Sequence, residues 1–449
     1  MLFTYISLGI FLAFVIFQSI YIFIPLFKNE RKKVSNINKH YTFSVIVPAF
    51  NEEKVIQHCL IGFSQLNYKK AELIIVNDGS TDNTMGFLNT ILDLRVCDRE
   101  IDKRLNYQFV KNSYQSRKFE NIYVIDKING GKADALNAGI GFSQNEILIT
   151  LDADSFLEQN ALNEMNAKFQ EKDVIACGGN VLIAQAFTGH IHNLKPTFKV
   201  KGVIKFQFLQ YLTAFYLHKR AQATIGAITV IAGAFGAFRR ETLFSIKGFR
   251  RTIGEDMDIT LKLHKFIKEN KLKQKVAFVP TAICYTECPS TLKDMFKQRV
   301  RWQKAFIDCL VHYRKCYFHK FSIRFSLFFL VDQFIIGTLN AFPFVVSPFL
   351  LLYNQSNVIL LFLLGLGAVF LFMYQSLTTL YVSYLHGIKF SKVDNMRVLF
   401  FLPLEIFVYR MINLSFVVYG TVSYFYKSQS WDKLERSGNV AWKGVKRGA

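Results

Sequence analysis

Three carboxylates fall within four residues in the stretch GEDMD at 254–258. Like charges that close repel one another, so each needs an environment of its own. The residues that follow, ITLKLHKFIKEN, have helical spacing, and a step of roughly 100° per residue separates the three acids. Asp256 falls in line with Ile259, Thr260, Leu263 and Ile267, the apolar stripe. It is the carboxylate this pattern directs inward, the setting of a general base; a first-turn or N-cap aspartate is the plainer alternative. Asp258 lines up with Lys262, Lys265 and Glu269 and reads as a solvated charge paired to Lys262. Glu255 lies between the two faces at the helix start, where negative charge is favourable.

A second acidic pair, Asp152 and Asp154 in LDADS, closes the apolar run EILIT. Its spacing is expected to aim both side chains outward from one strand end. Paired hard oxygen ligands suit Mg2+ or Mn2+ bridging a diphosphate. A lone Asp-x-Asp is weak, but this one follows a glycine-rich turn. In that turn, NGGKADALN, Gly130 and Gly131 allow close backbone approach. Lys132 sits where a helix N-terminus favours anions; the plainer reading is a solvated lysine. Asp78 in NDGS is placed to accept from a uracil or ribose, or else it forms the turn before Gly79.

These residues need elements to hold them. FSVIVPAF is an apolar run, and the next segment has helical spacing at Val55, Ile56, Cys59, Leu60 and Phe63. AELIIVN, NIYVIDK and EILIT read as further strands. Strand–loop–helix alternation predicts an α/β domain with a mostly parallel sheet and helices on both faces. The polar clusters recur at the C-terminal strand ends, where such folds bind ligands. Residues 95–121 form a charged insertion to which the sequence assigns no role.

Half of the 449 residues are apolar, and 46 phenylalanines lift the aromatic share to 15%, which points to a membrane. The net charge of +22 fits either a nucleic-acid binder or a protein on an anionic leaflet that handles phosphorylated substrates. Basic residues are spread along the chain rather than gathered on one motif, so no nucleic-acid partner is expected. Seven scattered cysteines without CxxC pairs read as reduced thiols.

Residues 2–27 carry no charge and are long enough to span a bilayer. They are too long for a cleavable signal and lack its basic start and cleavage site. KNERKK follows, which puts the N-terminus outside. Nothing from about 42 to 300 spans, and hydrophobicity returns at 321–353, 357–386 and 398–426. Asp332, Glu405 and Arg410 lie in those segments, with Pro343 and Pro348, and intramembrane ionisable groups face protein or water. The basic tail prefers the inside; a horizontal or re-entrant helix near 398–410 would place it there. Residues 203–231 are apolar but broken by Lys205, His218, Lys219 and Arg220, so they pack toward the membrane and the acceptor without spanning. The expected organisation is a transmembrane helix at 1–28, a basic linker at 29–41 and a cytosolic domain at 42–290. Amphipathic interface helices at 291–320, a transmembrane region at 321–426 and a basic tail at 427–449 complete it.

VIVPAFNE, IIVNDGSTDNT, NGGKADALNAGI, LDADS, GAFGAFRRETL, GEDMD and QRVRW run in order from about 43 to 302. This ordered set resembles the processive, membrane-embedded family 2 glycosyltransferases, the synthases of cellulose, hyaluronan, chitin and poly-β-1,6-N-acetylglucosamine. The WDKLERSGN tail looks like the bacterial exopolysaccharide branch. The resemblance implies a GT-A-type nucleotide-sugar-binding domain, facing the cytoplasm and inserted between the helices of a multi-pass cell-membrane protein. It gives Asn51, Glu52 and Asp78 to the uridine, Lys132 and Asp152 to the nucleotide-sugar, and Asp152 and Asp154 to the metal. The base is the aspartate of the family's TED triplet, here Asp256, beside Glu255. Gly254 replaces the triplet's threonine, which puts that residue's local contacts in doubt. Gln298, Arg301 and Trp302 match the QxxRW element, which the family uses to hold the diphosphate and stack the acceptor sugar. An aromatic face suits a sugar ring and a guanidinium suits phosphate oxygens; read alone, Trp302 also fits an interfacial anchor.

The implied reaction is inverting transfer from a UDP-sugar, UDP-N-acetylglucosamine favoured over UDP-glucose, into an exported polysaccharide. Expected partners are the UDP-sugar, the growing glycan, the lipid bilayer and, as an open option, an accessory membrane protein; the expected cofactor is Mg2+ or Mn2+. A non-processive transferase acting on a membrane lipid is the enzyme alternative. A transporter or receptor with a nucleotide-sensing domain is the other class, and the full carboxylate set argues against it. On these readings Asp256→Asn keeps UDP binding and loses turnover, and Asp258→Asn is nearly silent.

Overall fold

The computed structural model describes residues 2–27, 37–342 and 358–426. Most of the basic linker, Pro343, Pro348 and the tail with its WDKLERSGN motif lie outside the described residues. The chain opens with helix α1 (Leu2–Phe27), then β1 (Phe43–Ala49), α2 (Ile56–Ser64), β2 (Ala71–Asn77) and α3 (Thr84–Leu92). Next come β3 (Leu94–Val96), β4 (Val110–Ser116), β5 (Ile122–Lys127), α4 (Lys132–Phe142) and β6 (Ile147–Thr150). They are followed by β7 (Ser155–Leu157), α5 (Ala161–Phe169), β8 (Val174–Ile183) and the hairpin β9 (Phe187–His190) and β10 (Asn193–Pro196). Helix α6 (Gly202–Leu212) runs on through Thr213–His218 into α7 (Lys219–Ile225). β11 (Gly236–Arg239), α8 (Arg240–Ser245), α9 (Glu255–Glu269), β12 (Lys275–Thr286) and α10 (Leu292–His312) complete the domain.

Ten strands form one sheet in the order β3-β4-β5-β2-β1-β6-β11-β8-β12-β7. β5, β2, β1 and β6 run parallel, as the strand–helix alternation predicts. Their sequences are nearly continuous apolar runs because both faces are covered. On one face Val45, Val47, Leu73 and Ile75 pack under α2, α3 and α5. On the other, Ile46, Ile74 and Val76 pack under α4, α8 and α9. The rest of the sheet is mixed: β11 is antiparallel to both of its neighbours, and so are β7 and the β3–β4 edge. That edge is the charged insertion. Arg99 fastens it to Glu72 on β2 at 2.9 Å, with its guanidinium over the rings of Tyr123 and Phe142.

Among the described residues three helices are long and apolar enough to cross a membrane: Tyr5–Phe27, Phe362–Leu385 and Lys392–Tyr424. Residues 398–410, where a horizontal or re-entrant helix is expected, are part of one helix from Lys392 to Tyr424. Pro403 removes a backbone donor, and a wide-turn segment at Glu405–Tyr409 absorbs the defect without breaking the run. Glu405 is buried and bonded to Arg410 at 3.0 Å. Asp332 accepts from the Tyr21 hydroxyl on α1. The α6–α7 segment lies between the sheet and these helices: Thr213 bonds Thr379 at 3.1 Å, and the His218 and Tyr21 rings are 4.2 Å apart.

Candidate active site

The site gathers where the parallel strands end. Asn51, in the turn after β1, adopts a left-handed backbone with φ 57°, a conformation that asparagine tolerates better than most residues. Its side-chain oxygen accepts from the amides of Thr81 and Asp82 at 2.7 and 3.2 Å. Its own amide donates to Ser80 Oγ at 2.9 Å, and the Glu52 amide donates to Thr84 Oγ1 at 2.9 Å. The Asn51–Glu52 turn is thereby braced against the loop that follows β2.

Asp78 opens that loop and is only 3% exposed. Its Oδ1 accepts from Lys127 Nζ at 2.6 Å and from the Gly130 amide at 3.0 Å; Oδ2 accepts from the Gly131 amide at 2.8 Å. The carboxylate faces the protein and shapes the glycine turn. Lys127, which the sequence reading missed, is fully buried between Asp78 and Asp134, 2.6 Å from each. The signal for it was a lysine at the end of an apolar strand, directly before a glycine turn.

Gly131 caps α4 with φ 87°, in the left-handed region glycine adopts freely. Lys132 follows it and reaches Asp152 Oδ1 at 2.7 Å and Glu255 Oε1 at 2.9 Å. It is a bridge between three motifs, not a solvated lysine. Burial works against its ammonium, but Asp152 and Glu255 outweigh that and hold its pKa above the ordinary value. Burial also pushes the Glu255 carboxyl up, against the opposing pull of Lys132.

Asp152 and Asp154 do not both point outward as their spacing suggested. They lie in a turn, not in extended strand, so strict alternation fails. Asp152 remains 26% exposed at the cleft. Asp154 is 8% exposed and accepts from Ser155 Oγ at 3.2 Å and Thr286 Oγ1 at 3.4 Å. Among the described residues no group of three His, Cys, Asp or Glu side chains is arranged to hold a metal. Two hard oxygen donors still fit Mg2+ or Mn2+ where substrate oxygens and water complete the shell.

Asp256 is half-buried in the first turn of α9. Its Oδ2 accepts from the Gly233 amide at 3.3 Å and its Oδ1 from the Met257 amide at 2.8 Å. Gly233 backs directly onto the cluster. A Cβ there would lie 3.1 Å from Lys132 Nζ, 3.4 Å from Asp256 Cβ and 3.5 Å from Glu255 Oε1.

Asp258 overturns its expectation as a surface charge. It is fully buried and accepts from Arg250 Nε at 2.7 Å and from the Tyr313 hydroxyl at 3.0 Å; Lys262 stands off at 3.8 Å. Arg250 continues to Asp308 on α10 at 2.6 Å. α9 is covered on two sides, Ile259 and Leu263 under the sheet and Leu261 against Phe306, Ile307 and Cys309 of α10. A single apolar stripe cannot reveal the second buried face.

On α10, steps of roughly 100° put Gln298, Arg301, Trp302 and Ala305 on one face. Ala305 meets the start of α9: a Cβ at Gly254 would fall 2.5 Å from its Cβ. Glycine in place of the triplet's threonine is what lets the two helices touch. Trp302 is 41% exposed, with the Arg299 guanidinium 4.1 Å from its ring centroid and the Tyr211 ring at 6.5 Å. Arg299, also missed in the sequence, is buried. Burial pushes the Tyr211 hydroxyl up, and both Arg299 and Asp154 are close enough to act on it.

Residues 44–246 match the profile of glycosyl transferase family 2, and residues 147–388 match that of glycosyl transferase family group 2. A poly-beta-1,6-N-acetyl-D-glucosamine synthase of Staphylococcus epidermidis is 30% identical over 290 residues, 64% of this chain and 58% of that protein. A synthase of the same name from Staphylococcus aureus strain COL is 28% identical over 314 residues, 69% of this chain and 65% of that protein. The chain thus matches less than two thirds of the length of these relatives. A solved mannosyltransferase of Pyrobaculum calidifontis, in complex with GDP-Man and Mn2+, shares the fold at TM-score 0.54 and 15% identity, over 93% of this chain and 99% of that one.

Proposed function

The chain belongs to the family 2 glycosyltransferases, and from that premise we propose that it transfers a sugar from a UDP-sugar onto a growing glycan with inversion, exporting the polymer through its membrane helices. UDP-N-acetylglucosamine is favoured over UDP-glucose, on the likeness to the staphylococcal synthases. The observation that carries the reading is the meeting of Lys132, Asp152 and Glu255 beside Asp256. Three motifs distant in sequence supply one cationic and three anionic groups at the C-terminal end of the parallel strands.

In this mechanism Asp256 takes the proton from the acceptor hydroxyl as that oxygen attacks the anomeric carbon. The bond from the anomeric carbon to the diphosphate breaks, and UDP leaves with the electron pair. Lys132, at the start of α4, and Arg301, from the α10 face, balance the charge gathering on the diphosphate. Asp152 and Asp154 would hold Mg2+ or Mn2+, which supplies further positive charge to the same oxygens when bound. The exposed ring of Trp302 offers a face to the acceptor sugar. Asn51 and Glu52 form one wall of the nucleotide site, and Asp78 shapes the turn that forms the other.

UDP release by the purified full chain, measured across a panel of UDP-sugars with Mg2+ or Mn2+ supplied, tests the transfer. Release from UDP-N-acetylglucosamine with long-chain product supports the proposal. Single-sugar lipid products would replace polymer synthesis by the lipid-acceptor alternative, and silence across the panel would reject glycosyl transfer.

A further inference from the structure

A cavity of ≈ 640 Å³ lies away from the candidate active site, where the N-terminal turn of α6 meets the Lys392–Tyr424 helix. Lys199, Lys201, Lys205 and Arg397 converge on it. Among the described residues no acid is paired with any of the three lysines. Arg397 bonds Asp394 at 2.8 Å, and that aspartate also accepts from Ser391 Oγ at 3.2 Å. The wall is built rather than loose: Lys205 lies over the rings of Phe198 and Phe401, at 5.2 and 5.3 Å, and Phe198 is fully buried. Ser290 adds a hydroxyl, and Val200 and Ile204 add apolar surface. Cationic side chains beside a hydroxyl and an apolar wall are the chemistry that receives a phosphate ester attached to something greasy.

The helix that contributes Arg397 indicates the source of that phosphate. Val393, Met396, Phe400 and Leu404 recur at helical spacing and are all exposed, while Val398 and Leu402 pack inward against the domain. Arg397 falls at the seam between the two arcs, next to the outward apolar face. This helix is one of three candidate spans among the described residues, so that face has the composition to lie against lipid. We propose that this cavity binds the phosphate headgroup of an anionic phospholipid, whose acyl chains lie along the exposed face of the Lys392–Leu404 segment. No residue of the candidate active site lines it, so the proposal does not rest on the reaction.

Native mass spectrometry of the detergent-purified full chain tests it, with phosphatidylglycerol or phosphatidylcholine added. Phosphatidylglycerol is expected to stay bound to the wild type and phosphatidylcholine to be lost. The combined variant Lys199→Gln, Lys201→Gln and Lys205→Gln is expected to retain phosphatidylglycerol about tenfold more weakly or worse. All three positions are at the surface or half-buried, so folding should not suffer. Lysine-to-arginine changes at the same positions should restore binding. The same charge loss at exposed Lys69, Lys70 and Lys103 should leave it unchanged. Equal retention in the Gln variant, equal retention of phosphatidylcholine, or displacement by the same concentration of inorganic phosphate would overturn the assignment.

Discussion

Asp256 and Asp258 lie two residues apart and have opposite tasks. Asp256 is half-buried and bonded to the Gly233 amide. Asp256→Asn keeps the shape and removes the proposed base, so kcat should fall roughly 10²–10⁴-fold, while UDP affinity, read by calorimetry, should hold. Asp258 is the acceptor for Arg250 and Tyr313, with no exposed surface. The near-silent outcome expected from the sequence is therefore reversed. Asp258→Asn should cost about 2–3 kcal/mol of stability, because it leaves a half-buried guanidinium short of its counter-charge. Thermal unfolding of the purified variant checks this, and a wild-type midpoint would contradict it. Periodicity distinguished the three acids, yet it ranked Asp258 wrongly. It registers burial under the sheet, through Ile259 and Leu263, but not the partner helix 50 residues on that also covers α9. Lys127 and Arg299 escaped for the same reason: a charged residue appears buried only once its distant partners are in place.

At the scale of elements, the strands that were legible are those whose apolar runs are buried on both faces: β1, β2, β5 and β6. Short antiparallel strands such as β3 and β11 take their identity from neighbours far away in sequence, and no local pattern announces them. The α9–α10 contact is a second long-range feature, and it explains a departure that the motif alone left open. Gly254 has no room for a side chain, since Ala305 Cβ would lie 2.5 Å from any Cβ placed there. Gly254→Thr should therefore push the carboxylate-bearing helix off the Gln298–Trp302 face and abolish most UDP release. Adding Ala305→Gly should recover part of that activity. If the double variant is no better than the single one, the clash is not the cause. Lys127 provides a matching test at the glycine turn. Lys127→Met leaves Asp78 and Asp134 facing each other, buried and without their shared cation. A loss of about 3 kcal/mol or more is expected, read as a lower unfolding midpoint.

At the scale of the whole molecule, the catalytic domain and the long helices are joined through polar side chains that face inward. The ionisable groups Asp332, Glu405 and Arg410 were legible in apolar segments; the amides Gln18 and Gln375 were not read, and the partners of all of them lie on different helices. Gln375 is the hub. It is buried on the Val358–Leu385 helix, donates to Gln18 of α1 at 2.7 Å and lies 3.0 Å from His218 Nε2 on the α6–α7 segment. Its oxygen accepts from Arg410 at 3.3 Å, and that guanidinium also holds Glu405 and covers the Phe372 ring at 4.0 Å. One amide thus links three separate helical segments to its own. Gln375→Leu matches its bulk closely but leaves Gln18, His218 and Arg410 each short of a bond at a buried position. Interhelical hydrogen bonds of this kind are worth about 1–2 kcal/mol at most, so the detergent-purified variant should unfold a few degrees lower. UDP release measured well below that midpoint should be unaffected, since no candidate site residue is touched. Phe370→Leu, on the same helix but facing outward and exposed, should melt with the wild type. If Gln375→Leu melts there too, apolar packing alone holds the helices to the domain.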